Sequence, residues 1–247
     1  MKLWRAVQEG AGISRRKAQA LIRAGEVSLD GDVVCDPYRE LKPGPDRVIY
    51  LRGQPLSLAP RLPHVYLYNK PRGVVCSHDD PHTGNTLGRV LRAEGFIGYT
   101  WAGRLDRDAE GLMILTNDGA LISRLTHPRY GVEKVYHVWV GERRRDGEMR
   151  GILARMREGI TDAGDKLRIL DGKLDGKRII VTLGQGHKHE IKRLFAHFGL
   201  SVIRLRRVAI GPIRLPPELS PGGIRHLTAP DAARLYTAVG LEPPADL

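Results

Sequence analysis

Residues 103–119 read GRLDRDAEGLMILTNDG and join a charged turn directly to an apolar run. The run from Leu112 to Leu115 is short and bounded by turn residues, which is typical of a buried strand. Charged side chains beside a core strand are unusual, although a solvated turn whose carboxylates pair with nearby arginines is the commoner arrangement. A calcium loop is excluded, because a loop beginning at Asp106 would place Asn117 where the bidentate glutamate belongs. Residue types alone favour the solvated turn.

Strand and helix patterns alternate on both sides of this turn. Short runs rich in β-branched and aromatic residues predict strands at 65–68, 99–102, 112–116, 135–140, 178–183 and 202–208. Apolar periodicity predicts helices at 120–125, 148–157, 190–198 and 231–239. These patterns together indicate an α+β fold.

The N-terminal region predicts a smaller unit of its own. Residues 14–25 begin with the N-cap residue Ser14 and end with Gly25, which predicts one short helix with a buried apolar stripe and a basic face. The pair Asp30-Gly31 suits a turn with positive φ angles, so the short apolar runs beside it predict a β-hairpin.

Proline content divides the chain. Residues 53–63 contain three prolines and no periodic pattern, which predicts a linker. The predicted organisation is therefore a first domain at 1–52, a linker at 53–63 and a second domain at 64–247.

The composition excludes several classes of protein. Hydrophobic residues make up 41% of the 247 residues and glycine contributes 29 more, a globular balance that excludes disorder and collagen. The longest apolar runs fall far short of the roughly 20 residues that span a bilayer, and the first ten residues lack the apolar core of a secretion signal. Cys35 and Cys76 stand well apart, which favours a reducing compartment over a disulfide framework. We therefore expect a cytoplasmic protein with no membrane partner.

The charge is strongly basic and unevenly placed. Forty Lys and Arg against 28 Asp and Glu give a net charge of +12, which indicates a polyanionic partner such as nucleic acid. Residues 187–214 hold seven Lys and Arg against Glu190 alone, half of the excess, which favours an RNA-binding groove over general solubility. His187, His189 and His197 lie in the same stretch, where phosphate-side histidines explain them better than a zinc site, and we expect no metal.

Four ordered motifs and the N-terminal helix resemble one family, the pseudouridine synthases of bacterial ribosomal RNA that carry an N-terminal alpha-L (S-four type) RNA-binding domain. Residues 14–18 and 21–27 resemble the RNA-binding helix and the turn after it. The similar segments of the second domain are residues 69–75 (NKPRGVV), 103–106 (GRLD) with 111–119 (GLMILTNDG), 134–138 (KVYHV) and 186–193 (GHKHEIKR). The resemblance covers nearly the whole chain.

This resemblance implies a fold and a set of site residues. The second domain would contain a mostly antiparallel mixed sheet with a central cleft, and Asp106 would be the catalytic carboxylate. The implied substrate-binding residues are Arg104, Tyr136, Lys192 and Leu205. The implied RNA-binding residues are Ser14, Arg15, Arg16, Lys17, Arg23, Lys188, Arg193, Arg206 and Arg207.

The implied reaction needs few chemical groups. The bond from ribose to the ring nitrogen breaks and carbon 5 takes its place, with no redox change, so we expect no cofactor and no nucleotide. A carboxylate can add to the sugar or the ring, or deprotonate the sugar to give a glycal, and residue types do not choose between these routes. To stay ionised away from water it needs an adjacent cation, by resemblance Lys192. Tyr136 would stack on the target base, and Arg104 would hold a phosphate or fill the gap left by the flipped-out nucleotide.

The predicted function is site-specific isomerisation of uridine to pseudouridine in ribosomal RNA, free or in an assembling subunit, by a monomer. A noncatalytic RNA-binding assembly factor and a synthase acting on transfer RNA stay open as alternatives. Asp106, Tyr136 and Lys192 together favour the enzyme, because a carboxylate in a cleft that binds polyanions weakens binding. Ala109 and Glu190 depart from the threonine and glutamine usual in the family, which bears on loop geometry and local electrostatics.

Overall fold

A computed structural model describes residues 1–41, 48–56 and 64–244, and these fall into two compact units. The first unit holds the described residues of 1–61 together with 77–100, and the second holds those of 62–76 and 101–247. Across the described ranges, no helix has the length and apolar character needed to cross a membrane.

The first unit combines helices with a four-stranded antiparallel sheet of order β2-β1-β3-β4. Its elements are α1 (Leu3–Ala11), α2 (Arg15–Arg23), β1 (Val27–Leu29), β2 (Asp32–Val33), β3 (Ile49–Leu51), β4 (Gln54–Leu56) and α3 (Leu87–Ala93). Apolar side chains of α1, α2 and the strands form its core, among them Leu3, Val7, Ala18, Ile22, Val27 and Ile49.

The predicted N-terminal helix and hairpin are confirmed. Ser14 caps α2, because its Oγ accepts a hydrogen bond from the backbone nitrogen of Lys17 at 3.2 Å. Asp30 and Gly31 have φ angles of 54° and 97°, as a tight hairpin turn with a right-handed strand twist requires. Helix α1 was not predicted, since Lys2 at its N-cap makes no side-chain capping hydrogen bond that would mark its start.

The predicted linker begins too early. Residues 54–56 form β4, because Arg52 and Gly53 both adopt positive φ and turn the chain back into a hairpin with β3. Proline is tolerated in β4 because this is the outer strand of the sheet. The remaining predicted linker residues, 57–63, lie outside the described residues.

The predicted second domain is not one continuous block. Residues 77–100, which the sequence analysis placed in it, group with the first unit. Within that unit Gly12 approaches this segment so closely that a Cβ on Gly12 would lie 2.4 Å from Ile97 Cγ2. No local sequence pattern predicts this contact, because it joins residues that are more than 80 positions apart.

The second unit is built on a mixed sheet whose main path has the order β11-β12-β8-β13-β7-β5-β15. Its strands are β5 (Val65–Lys70), β6 (Thr100–Ala102), β7 (Glu110–Thr116), β8 (Lys134–Val140), β9 (Ile160–Asp162), β10 (Asp165–Leu167), β11 (Asp171–Asp175), β12 (Arg178–Leu183), β13 (Val202–Ile210), β14 (Ile213–Arg214) and β15 (Ile224–His226). Its helices are α4 (Gly119–Thr126), α5 (Asp146–Glu158), α6 (Glu190–His197) and α7 (Ala229–Ala238), with a 3-10 turn at Pro128–Tyr130.

The predicted mostly antiparallel mixed sheet is confirmed. Strand β13 pairs antiparallel with β8 and parallel with β7, whereas the other main-path pairs are antiparallel. The parallel pair is very close at Gly111, where a Cβ would lie 2.2 Å from the carbonyl oxygen of Arg207 and φ is +109°. Only glycine satisfies both conditions, so this residue sets the start of β7 against β13.

A large apolar core supports the sheet beside the charged turn. Leu112 and Ile114 of β7 are fully buried and pack with residues of α4 and α7, including Leu121 and Leu235. Buried methylene groups contribute roughly 0.8 kcal/mol each, so the apolar run after the turn anchors it firmly to the core. The turn itself is thereby held at the edge of a rigid strand.

Candidate active site

Asp106 lies in the turn between β6 and β7, at the wall of a cavity of about 440 Å³. The turn is closed by a hydrogen bond from the backbone nitrogen of Ala109 to the carbonyl oxygen of Asp106 at 3.1 Å. The side chain of Asp106 is 28% exposed, so its carboxylate faces the cavity without being sealed from water. A cavity of this size accommodates a small ring such as a nucleobase.

The predicted substrate residues converge on this cavity. It is bounded by the turn, by β8, β12 and β13, and by the start of α6. The predicted residues that line it are Arg104, Asp106, Tyr136, Lys192 and Leu205. They come from four separate parts of the chain, which the sheet order β8-β13-β7 brings side by side.

Two cationic or proton-bearing groups face the Asp106 carboxylate. Lys192 Nζ lies 3.7 Å from Oδ2, and His189 Nε2 lies 3.4 Å from Oδ1. His189 is the N-cap of α6 and has a φ of 54°, an uncommon backbone conformation that brings its ring toward Asp106. This contact was not predicted, because His189 was expected only to lie beside phosphate-binding residues.

Lys192 is nearer to a second carboxylate than to Asp106. Its Nζ donates to both oxygens of Asp108, at 2.6 and 2.7 Å. This hydrogen bond lowers the pKa of Asp108 below its ordinary value. The predicted cation beside Asp106 is therefore present but shared.

Tyr136 and Leu205 form apolar walls of the cavity. Tyr136 on β8 stands opposite Arg207 on β13, and both Tyr136 and Leu205 are 7% exposed. Alternate residues on a strand point to opposite faces, so Leu205 and Arg207 share the cavity side of β13. The two walls leave a flat apolar surface beside the carboxylate.

Comparison with known proteins gives the family. Residues 64–197 match the family model described as RNA pseudouridylate synthase, and residues 6–45 match the S4 domain model. The chain belongs to the RNA pseudouridine synthase family.

Relatives and a solved structure agree with this family. An uncharacterized RNA pseudouridine synthase of Aquifex aeolicus is 37% identical over 96% of the chain and 94% of its own length. The ribosomal small subunit pseudouridine synthase A of Vibrio cholerae is 31% identical over 96% of the chain and all of its own length, and that of Escherichia coli K12 is 32% identical over 94% and 99%. A crystal structure of a pseudouridylate synthase is similar with a TM-score of 0.65 and 29% identity, covering 95% of the chain and 99% of its own.

Residues 69–75 of the synthase support the turn that carries Asp106 rather than lining the cavity. Lys70 is fully buried and donates from Nζ to the carbonyl oxygens of Ala109 at 2.7 Å and Pro71 at 3.0 Å. The backbone nitrogen of Gly73 donates to the carbonyl oxygen of Arg107 at 2.6 Å. Burial lowers the pKa of Lys70. The motif thus holds the residues that directly follow Asp106, a role that was not predicted.

Glu190 and Lys134 form a second charged layer at the cavity. Glu190 is 3% exposed and accepts hydrogen bonds from Gln185 Nε2 at 2.7 Å and the backbone nitrogen of His187 at 3.0 Å. Burial raises the pKa of Glu190, and burial together with Arg207 lowers the pKa of Lys134 to about 8. Glu190, which stands where the family usually has glutamine, therefore has a structural role, because its hydrogen bonds hold the loop before α6.

The predicted RNA-binding residues of the synthase unit do not all face solvent. Arg207 is 1% exposed, and its Nε and Nη1 donate to the carbonyl oxygens of Leu112 and Arg104 at 2.8 and 3.4 Å. The prediction that Arg207 binds RNA is wrong, because Arg207 is buried and its hydrogen bonds brace β7 and the turn that carries Asp106. Arg193 pairs with Asp162 and Asp165 of the β9–β10 hairpin, with 21% of its side chain exposed.

Other predicted RNA-binding residues are exposed or partly exposed. Lys188 is exposed beside the cavity, and Arg206 lies on the sheet face opposite to Leu205. In the S4 domain Arg16, Lys17 and Arg23 are exposed, and the hydroxyl of Ser14 is used as the helix cap. The remaining member, Arg15, is also exposed and lies over the ring of Trp4 at 4.5 Å.

Proposed function

We propose that this synthase converts a specific uridine of ribosomal RNA to pseudouridine, with Asp106 as the catalytic carboxylate. The observation that carries the proposal is the position of Asp106, at the wall of a cavity of nucleobase size and between Lys192 and His189. The ribosomal substrate is supported by relatives named as ribosomal small subunit synthases that align over nearly their full length. A ribosomal substrate also places the proposed activity in the cytoplasm.

The reaction conserves every atom of the nucleoside. The bond between ribose C1′ and ring N1 breaks, a bond between C1′ and C5 forms, the C5 proton leaves and N1 gains a proton. Asp106 serves either as the nucleophile that adds to the sugar or ring, or as the base that takes a sugar proton to give a glycal. No oxidant, reductant or water molecule is consumed.

The groups around Asp106 suit it for this role. Lys192 Nζ and His189 Nε2 each lie close to one oxygen of the Asp106 carboxylate, so the carboxylate is flanked by polar groups on both sides. Tyr136 and Leu205 give the uracil an apolar surface, and stacking on an aromatic ring contributes about 1–3 kcal/mol per base. A uridine inside a folded RNA must leave its stack to reach the cavity, so the target nucleotide is flipped out.

The other residues of the proposal divide between the two units. Arg104 and Lys188, exposed at the cavity, would meet phosphates of the target strand, and the basic residues of α2 would hold a separate part of the RNA. The proposed catalytic form is a monomer.

A single substitution tests the catalytic role. Asp106→Asn should retain RNA affinity near that of the wild type and lose far more than a hundredfold in turnover, which is about 2.7 kcal/mol. Tritium release from RNA labelled at uridine C5 measures turnover, and filter binding measures affinity. The matched control is Asp146→Asn at the start of α5, an exposed aspartate that does not line the cavity. Turnover retained by Asp106→Asn would refute the assignment.

A mapping experiment tests the substrate. Carbodiimide-based primer extension across ribosomal RNA, with and without this gene, should show one pseudouridine that depends on the gene. If a pseudouridine is lost from transfer RNA alone, the substrate is transfer RNA and not ribosomal RNA. If no RNA changes, a noncatalytic assembly factor is favoured.

A further inference from the structure

The second unit exposes one face of its sheet on the side opposite to the cavity. On β8, Tyr136 and Val138 are buried on the cavity side, so the residues between and beyond them, His137 and Trp139, point to the other side. On β13 the buried residue Leu205 alternates in the same way with its neighbours. We call this other side the outer face, and its residues are Glu110, Val135, His137, Trp139, Asp171, Lys173, Asp175, Arg178, Ile180, Thr182, Arg204 and Arg206.

None of these outer-face residues is buried, in contrast to the cavity side of the same strands. His137 stands opposite Arg206 on β13 and Ile180 on β12. A sheet face left open to water is ordinarily covered by charged and small polar side chains. Here two aromatic rings occupy its centre instead.

The two rings meet edge to face, so each presents its own face to the surroundings. Trp139 and His137 lie two positions apart on one strand, with ring centroids 6.1 Å apart and planes at 80°. The guanidinium carbon of Arg204 lies 4.8 Å from the centre of the Trp139 ring. Exposed rings beside guanidinium groups on an open sheet are the means by which sheet proteins hold single-stranded nucleic acid.

The charge of the outer face is also positive. Its four cations, Lys173, Arg178, Arg204 and Arg206, stand against three carboxylates, Asp171, Asp175 and Glu110, which leaves a net charge of +1. Of these, Arg204 pairs with Glu110 at 2.6 Å and Arg178 pairs with Asp175 at 2.5 Å. Within the described ranges, Lys173 and Arg206 have no ion-pair partner. Burial, and then the charges of Arg178 and Arg206, lower the pKa of His137, which is consistent with a local excess of positive charge.

We propose that the outer face binds a single-stranded segment of the same RNA whose target uridine enters the cavity. Bases stack on Trp139 and His137, and phosphates meet Arg206 and Arg204. RNA is favoured over a protein partner because Lys173 and Arg206, which have no ion-pair partner among the described residues, lie on the same face as the rings. The proposal rests on an RNA substrate for the chain and adds a second contact surface to the cavity.

Binding measurements test the proposal independently of catalysis. The full-length chain is used in the Asp106→Asn background, with a ribosomal RNA fragment that includes single-stranded flanks of the modified site, so that turnover does not affect the readout. Trp139→Ala should weaken binding about tenfold, as expected for loss of one stacked base. Arg206→Glu should weaken it by a similar factor. Arg150→Glu, the same charge change at an exposed position of α5, is the matched control and should change affinity less than about twofold.

A conservative variant separates stacking from folding. Trp139→Phe keeps an aromatic ring and should restore most of the affinity that Trp139→Ala loses. In a second assay, RNA labelled with 4-thiouridine should form photochemical cross-links to residues of β8 and β13 on the outer face. Wild-type affinity in Trp139→Ala, or a loss in Arg206→Glu no larger than in Arg150→Glu, would overturn the proposal. If the wild-type chain proves to make no pseudouridine, these affinities still report on the outer face by themselves.

Discussion

The basic side chains of the two units have similar chemistry but different surroundings. On α2 of the first unit Arg16, Lys17 and Arg23 are exposed. Around the cavity of the second unit Arg207 is buried against backbone carbonyls and Lys192 is bound to Asp108. A count of the positive charges in a sequence therefore includes two kinds of cation. Some are exposed and available to RNA, and others are paired inside the protein, where they brace the turn that carries Asp106.

The largest expected effect separates two adjacent arginines of β13. Arg207→Met should lower the free energy of unfolding by about 3 kcal/mol, because it leaves the buried carbonyl oxygens of Leu112 and Arg104 without their donor. Arg206→Met, one residue away on the outer face, should change stability by less than about 0.5 kcal/mol. Urea unfolding of the two variants measures the difference. Equal stabilities would contradict the assignment of Arg207 as a brace.

The next effect concerns the shared lysine. Lys192→Met should lower kcat about a hundredfold, which corresponds to about 2.7 kcal/mol, because Asp106 and Asp108 then lack the cation between them. Lys188→Met removes an exposed lysine from the same segment and should affect RNA affinity while kcat stays within about threefold. Single-turnover tritium release at saturating enzyme distinguishes the two. An unchanged kcat in Lys192→Met would show that His189 alone suffices beside Asp106.

A smaller effect follows from the buried lysine at the cavity. The pKa of Lys134 is lowered to about 8 in the folded chain, whereas an unfolded lysine has a pKa near 10.5. Between these values the unfolded chain binds more protons, so Lys134 makes stability increase as pH rises from about 8 to 10.5. We expect this contribution to be on the order of 1 kcal/mol. Chemical unfolding between pH 8 and 10.5 should show that the free energy of unfolding of the wild type increases with pH. Lys134→Met should remove this increase. An equal increase in both proteins would mean that another group causes it.

The smallest effect lies on α2. Arg16→Ala should weaken the binding of a long ribosomal RNA fragment a few-fold. It should also reduce the slope of log affinity against log salt concentration by about 1, because the substitution removes one exposed cation and with it one phosphate contact. Arg5→Ala is the paired counterpart in the same unit, since Arg5 is bound to Glu9 at 2.8 Å, and it should change the slope less. Filter binding at several salt concentrations makes the comparison. Equal slopes for both variants would show that α2 does not track the phosphate backbone.

Much of the fold was predictable because local signals act over a few residues. The Ser14 cap, the Asp30-Gly31 turn and the apolar run of β7 each specify their own element, and the structure contains all three. Strand β4 was missed because a proline-rich composition outweighed the turn at Arg52 and Gly53. Strands β9, β10 and β11 were missed because their sequences, ITD, DKL and DGKLD, contain aspartate, lysine and glycine, which are depleted in strands.

The candidate site was predictable in its residue types and less so in its contacts. The motifs identified Asp106, Tyr136 and Lys192, and the structure brings all three to one cavity. The sharing of Lys192 with Asp108 and the approach of His189 depend on distances between segments some 80 residues apart. No spacing rule within one segment predicts them.

The amino-acid sequence by itself determined that this chain folds as an RNA-binding unit followed by a pseudouridine synthase unit, because caps, turns and motifs are encoded by neighbouring residues. Only the tertiary structure decided which cations meet solvent and which are internal. Arg206 and Arg207 are adjacent and chemically identical, yet the alternation of side chains across a strand sends one to the open face and buries the other. Whether a side chain is buried depends on what packs on its face of the sheet. Strand order and register decide what packs there, and both depend on contacts between residues that are far apart in the chain.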